Sequence, residues 1–278
     1  MQQTFETPGP LALRVEIPSG EVEISAGPGT ETILDLEGLD EESSRMLDDV
    51  RVELREARGG GHELIVEAKG RKGWGSILSF GRTGYRVQIS CPEGARTTVR
   101  TRSADVRGRG RLGPVDVESA SGDVTFAGVD GDAVVKTASG DIELGSVEGR
   151  ATAHSASGEV EIGTARGPVA VNSVSGDVVV RDAHADVTAN SVSGDQRLDA
   201  VVEGVVKAQS VSGDVVIGVR RGSRVYLDCN TLSGETSSEL ELTGDAGDEG
   251  PLVELRAKTV SGDISIVRAA AVPEEVRT

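Results

Sequence analysis

SASGDVTF (Ser119–Phe126), TASGDIEL (Thr137–Leu144), SASGEVEI (Ser155–Ile162), SVSGDVVV (Ser173–Val180), SVSGDQRL (Ser191–Leu198) and SVSGDVVI (Ser210–Ile217) are one phrase written six times. The serine of each Ser-Gly pair falls at Ser121, Ser139, Ser157, Ser175 and Ser193, always 18 residues apart. The next come at Ser212, Ser233 and Ser261, after intervals of 19, 21 and 28. Upstream, Ser103-Ala104-Asp105-Val106 is a degenerate copy, again 18 before Ser121. A fixed period of this kind marks a repeat architecture.

Counting that serine as position one, apolar residues return at positions four, six and nine (Val124, Phe126, Val129; Ile142, Leu144, Val147). They return again at thirteen, fifteen and eighteen (Ala133, Val135, Ala138; Ala151, Ala153, Ala156). The i, i+2 spacing is that of a strand with one buried face. Gly122, Gly140, Gly158 and Gly176 mark one break point and Gly131, Gly149 and Gly167 the other, where a tight corner calls for positive φ. One coil therefore reads strand, turn, strand, turn, and coils stack in parallel about 4.8 Å apart. The fold class is all-β: a parallel β-solenoid with two main sheets. A three-faced coil of the same length stays open, because position nine could begin a short third side. Aromatics at 2 % suit a core too thin for large rings.

The chain opens on an alternating strand, Leu11, Leu13, Val15 and Ile17, and makes the later turn at Pro18-Ser19-Gly20-Glu21. This reads as a first, detached coil. Asp40 to Asp49 is the one plausible helix, with acidic residues in its first turn. Val50, Val52 and Leu54 alternate, Gly59-Gly60-Gly61 turns, and Leu64 and Val66 return. This small α/β insertion is expected to cap the open end of the solenoid. The expected division is 1–98 for strands, cap and a basic glycine-rich loop, 99–268 for the repeats, and 269–278 for a disordered tail. Thr236 to Pro251 reads as a longer loop.

Among the 278 residues there is no run of 18 apolar ones, and the N-terminus has neither a basic start nor an apolar h-region. Cys91 and Cys229 lack metal spacing and read as buried free thiols in preference to a disulfide. A cytoplasmic protein is the expectation.

The net charge of −17 is unevenly spread. From Val66 to Arg111 there are eleven Lys or Arg against three acids, a balance of +8. That stretch includes KGRKGWGSILSFGRTGYR, from Lys69 to Arg86, with the only tryptophan. Basic residues interleaved with large apolar ones suit an anionic membrane or an acidic partner. Lys69, Arg71, Lys72, Trp74, Phe80, Arg82 and Tyr85 are the candidate partner surface. The competing reading is a loop and a solvated strand face carrying Arg96, Arg100, Arg102, Arg107, Arg109 and Arg111. Nucleic acid is not expected, given the acidic remainder and the few aromatics for stacking.

Asp123, Asp141, Glu159, Asp177, Asp195 and Asp214, with Glu235 and Asp263, follow the Ser-Gly pairs and should form a ladder. The opposite corners are too irregular to complete calcium sites, so these carboxylates read as turn formers bonding backbone amides. Lys136, His154, Asn172, Asn190 and Gln209 read as an outward polar ladder. His62, His154 and His184 share no evident site, and there is no nucleophile elbow, phosphate loop or metal signature. No enzyme activity and no cofactor are expected; a polysaccharide-active β-helix enzyme is a remote alternative.

The [ST]-x-S-G-[DE]-[VI] repeats and the lead-in Tyr85-Arg86-Val87-Gln88-Ile89-Ser90-Cys91-Pro92-Glu93-Gly94-Ala95 resemble the Toastrack family of bacterial β-strand-repeat proteins, often labelled candidate adhesins. The resemblance covers Leu11 to Val267. It implies a right-handed β-solenoid without catalytic residues, acting as an assembly scaffold linked to envelope-stress and membrane-associated systems. The expected function is a non-catalytic scaffold with protein partners, self-association among them, and peripheral contact with the inner face of an anionic membrane. An exported adhesin-like binding module is the alternative.

Overall fold

The computed structural model describes residues 1–57, 59–68, 84–240 and 250–269. Its N-terminal part holds β1 (Gln2–Glu6), β2 (Leu11–Gly27), β3 (Glu31–Gly38), a short helix α1 (Glu41–Arg45), β4 (Arg51–Glu56), β5 (His62–Glu67), β6 (Tyr85–Pro92) and β7 (Arg96–Leu112). Regular coils of two strands follow: β8 (Val115–Glu118) and β9 (Val124–Val129), β10 (Ala133–Thr137) and β11 (Ile142–Val147), β12 (Ala151–Ser155) and β13 (Val160–Ala165). Next come β14 (Val169–Ser175) and β15 (Val178–Ala183), β16 (Val187–Ser193) and β17 (Gln196–Val201), β18 (Gly204–Gln209) and β19 (Val215–Val219). The last two coils are β20 (Arg224–Ser233) with β21 (Thr236–Ser238) and β22 (Leu252–Ser261) with β23 (Ile264–Arg268).

The even-numbered strands from β8 to β18 stack in one parallel ladder and the odd-numbered strands from β9 to β19 in another. Partners sit one period apart, as Ala133 beside Ala151 and Ala151 beside Val169. The long strands β2 and β7 turn the corner and belong to both ladders, which joins the described strands into one continuous sheet. Positions four, six, nine, thirteen and fifteen face inward and are buried. Each buried Val, Leu or Ile contributes about 1.5–3 kcal/mol relative to exposure. One inward row runs Gly108, Phe126, Leu144, Ile162, Val180, Leu198. The ring of Phe126 fits the thin core because Gly108 yields the space: a Cβ there would stand 2.2 Å from it.

The two ends are not stacked in chain order. β22 lies between β18 and β20, with Leu255 beside Val206 on one side and Leu227 on the other. β23 lies likewise between β19 and β21. The last coil in sequence is thus second from the end, and residues 224–238 form the end coil, with β21 a strand where only a loop was expected. The N-terminus repeats the arrangement, since β2 pairs with β5 and β6 on one side and β7 on the other. The opening coil is therefore integral, not detached, and β7 carries the ladder straight through residues 98 and 99.

The insertion caps the N-terminal end, as expected. β4 runs antiparallel on β5, β3 antiparallel on β6, and β1 antiparallel on β3. Antiparallel pairing ends the parallel stack and hides its edge. Asp40 caps α1, accepting the Ser43 amide at 2.7 Å and the Gly84 amide at 3.0 Å. Those donors hold its carboxyl below the ordinary range. At the far end Val225, Leu227 and Cys229 are only half-buried, with Leu240 packed against the core. Both cysteines are free; Cys91 is buried as expected, whereas Cys229 is partly exposed.

Candidate functional site

The corner that carries the Ser-Gly pair is built by a residue the alternating pattern undervalues, the Ser or Thr at position seventeen. Ser119, Thr137 and Ser155 point inward, and their hydroxyl oxygens accept the amides of Gly122, Gly140 and Gly158 at 2.9, 2.9 and 2.8 Å. From the next coil the corner changes. The Ser173 and Ser191 hydroxyls now donate to the carbonyls of Gly176 and Gly194, at 3.2 and 3.4 Å. Those glycines take φ of 137° and 129°, whereas Gly122, Gly140 and Gly158 are not in the positive region. The change falls where Ser-Ala-Ser-Gly becomes Ser-Val-Ser-Gly. A β-branched residue favours extended backbone, so β14 and β16 run on through Ser175 and Ser193, while β12 stops at Ser155. The glycine then absorbs the turn.

This corrects the reading of position eighteen as inward. With 133, 135 and 137 facing in, strand parity turns 138 outward, and Ala138 and Ala156 are exposed. In the later coils the same column holds Val174, Val192, Val211, Val260 and Leu232, exposed by 54, 50, 50, 48 and 84 %. Their order in space follows from the adjacent pairs Ser175–Ser193, Ser193–Ser212, Ser212–Ser261 and Ser261–Ser233. Tyr226 and Leu252 are also exposed on these coils. Apart from Met1 and Leu39, every exposed large hydrophobic residue among those described lies here. Single exposed hydrophobics are ordinary; an aligned column of them is not.

Two polar columns flank the ridge. On one side, as expected, the outward face carries Lys136, His154, Asn172, Asn190 and Gln209, continued by Lys258 and Asn230. The Asn190 amide donates to Asn172 Oδ1 at 3.0 Å. On the other side runs the acidic column, whose carboxylates brace the corner. Asp123 Oδ1 accepts the Asp141 amide at 3.0 Å and Asp141 Oδ1 accepts that of Glu159 at 2.9 Å. Further along, Asp177 accepts from Asp195, Asp195 from Asp214, Asp214 from Asp263 and Asp263 from Glu235, each at 2.8 Å. The aspartates thus bond backbone amides of the neighbouring coil, while Glu159 and Glu235 enter these bonds through their own amides. The carboxylates remain exposed, and no group of three metal-ligating side chains forms among the described residues.

The basic segment emerges from the equivalent corner of another coil. Glu16 faces Glu67 and Gly20 faces Tyr85, so residues 68–84 replace the three-residue corner Ile17–Ser19 of β2. Lys69, Arg71, Lys72, Trp74, Phe80 and Arg82 lie outside the described residues. Tyr85 does not belong to a partner surface: it is 3 % exposed in the core, and burial pushes its hydroxyl up. The arginines beyond it are largely engaged within the ladder. Arg86 pairs with Glu21 at 2.9 Å, Arg100 with Asp116 at 3.1 Å, Arg107 with Asp105 at 3.4 Å, Arg109 with Glu23 at 2.8 Å and Arg111 with Asp130 at 2.9 Å. Exposed pairs of this kind are worth about 1 kcal/mol or less, but they cancel the local charge the sequence displays. The three histidines lie apart: His62 in β5, His154 on the polar column, and His184 2.8 Å from Asp182.

The sequence pattern of the Toastrack DUF4097 family matches residues 12–268. No curated protein matches the chain. A solved structure of a candidate adhesin from Bacteroides fragilis is 14 % identical over 96 % of each chain, with a TM-score of 0.46. A candidate cell adhesion protein from Clostridium sporogenes is 12 % identical over 96 % of this chain and 99 % of its own, with a TM-score of 0.26. Likenesses of that size carry no functional information.

Proposed function

The chain belongs to the Toastrack family, and from that premise we propose that it is a non-catalytic interaction scaffold. Its place would be a membrane-associated assembly of the envelope-stress kind, cytoplasmic and peripheral to the inner face of the membrane. The observation that carries the scaffold reading is the ridge from Val174 to Leu232, an apolar column held at fixed spacing on a rigid ladder. The membrane reading is supported by Lys69, Arg71, Lys72 and Arg82 interleaved with Trp74 and Phe80, because cations beside large apolar side chains suit an anionic interface. No helix among the described residues is long and apolar enough to cross a membrane.

Flotation of the purified chain with anionic and neutral vesicles, at low and physiological salt, tests the membrane part. Salt-sensitive flotation with anionic vesicles alone is the expected result, and absence of flotation under every condition removes membrane contact. Cell fractionation separates the alternative of an exported adhesin-like module, which would place the protein outside the cytoplasmic and inner-membrane fractions.

A further inference from the structure

The ridge is bordered by charge on one flank only. Val174, Val192, Val211, Val260 and Leu232 follow one another in successive coils, about 4.8 Å apart and about 19 Å from end to end. On one side, past an exposed column of serines, stand Asp177, Asp195, Asp214, Asp263 and Glu235, all exposed. None of these carboxylates pairs with a cation among the described residues, whereas Glu21, Glu23, Asp116 and Asp130 earlier in the rod each meet an arginine. On the other side the column is Asn172, Asn190, Gln209, Lys258 and Asn230, uncharged apart from one lysine.

An occupant cannot add here as a strand. The Val192 and Val211 carbonyls already accept the amides of Ser212 and Ser261 at 2.9 and 3.0 Å, so the backbone beneath the ridge is engaged in the ladder and side chains make the contact. Residues on one face of a strand recur about every 6.6–6.8 Å, and fall almost a full step behind a 4.8 Å column after two of them. One face of an α-helix recurs every turn, about 5.4 Å, and drifts by only about half a step over the whole ridge. At 1.5 Å per residue, about 13 residues of helix cover it. The carboxylate flank repels an anionic membrane and complements a cationic partner.

We propose that the ridge binds an amphipathic α-helix of a partner protein. Large apolar residues, one per turn, lie along Val174 to Leu232, and Lys or Arg on one side of that stripe faces Asp177 to Glu235. The one-sided charge also fixes the direction of the helix along the rod, because reversing it would carry the cations to the Lys258 side. This names the partner class of the scaffold reading and rests on the ridge being a binding surface.

The probe is a labelled synthetic helix of about five turns, with leucine once per turn, lysine along one adjoining flank and glutamine elsewhere. Its control has the same composition with leucine and lysine dispersed. In fluorescence anisotropy with the full chain, the striped peptide should bind at least about tenfold more tightly than the control, and circular dichroism should gain a helical signal on binding. Val192→Thr/Val211→Thr/Val260→Thr keeps the shape of the ridge, and Asp195→Asn/Asp214→Asn/Asp263→Asn keeps the oxygen that accepts the neighbouring amide. Each should weaken binding at least about tenfold, and the second should also flatten its salt dependence. Unchanged urea midpoints show that both variants are folded. Equal affinity for the two peptides, or loss with the Asn variant but not with the Thr variant, would overturn the helix site, because charge alone would account for binding. Sedimentation velocity keeps that failure apart from failure of the scaffold reading. A dimer of the parent chain that the Thr variant dissolves would overturn the helix as occupant and leave the ridge a binding surface. A parent chain that neither binds the striped peptide nor self-associates would overturn both.

Discussion

At the scale of single residues, the two thiols show how position in a coil sets chemistry. Cys91 faces the core, and burial pushes its thiol up to about 12. Burial also raises Cys229, but that residue lies in the half-covered end coil. Only the thiolate is nucleophilic, so at pH 8 a thiol reagent should modify Cys229 slowly and Cys91 only after unfolding. Equal native reaction rates would refute this. A folded thiol that keeps its proton while the unfolded chain releases it stabilises the fold fully below its ordinary value of 9.0. That contribution is lost as pH rises through the interval to about 12. The urea midpoint should accordingly fall between pH 8 and pH 10.5, and Cys91→Ala should flatten that fall. The sequence suggested both thiols were free; that Cys229 would be partly exposed depended on its coil becoming the end of the stack.

At the scale of elements, the corner is where the coil is least tolerant. A Cβ at Gly140 would stand 2.1 Å from the Gly122 carbonyl oxygen, whereas one at Gly128 would meet nothing closer than 3.4 Å. Gly140→Ala should therefore cost about 2 kcal/mol or more, since the clash is with backbone of the neighbouring coil and not with the end of a flexible side chain. Gly128→Ala should lie within about 0.5 kcal/mol of the parent. Urea denaturation of the two variants checks the contrast, and equal midpoints would show that the corner yields. The sequence marked this glycine but suggested the wrong reason in the early coils, where close approach of backbones and not positive φ excludes a side chain. The outward turn of Val174 and Val192 was legible through strand parity, once Thr137 and Ser155 are recognised as inward. It was obscured because an apolar residue next to a buried strand reads as core.

At the scale of the whole molecule, stability passes from coil to neighbouring coil, so spatial order matters more than chain order. The end coil, residues 224–238, pairs only with β22 and β23 among the described strands. Removing residues 251–278 should abolish amide protection across 224–238 while coils from Val115 to Leu198 stay protected. Persistent protection of 224–238 would show that the end coil holds without its neighbour. The 18-residue period and the buried positions four, six, thirteen and fifteen follow from the sequence alone, because an i, i+2 apolar pattern repeated at constant length has one way to bury every coil: parallel stacking. What lies beside what at the two ends was decided only in three dimensions. Identical corners offer nearly identical edges, so local sequence does not say whether Ser212 adjoins Ser233 or Ser261. The return of the chain to place β22 and β23 against β18 and β19 makes that choice, and with it the length of the ridge and the exposure of the last coil.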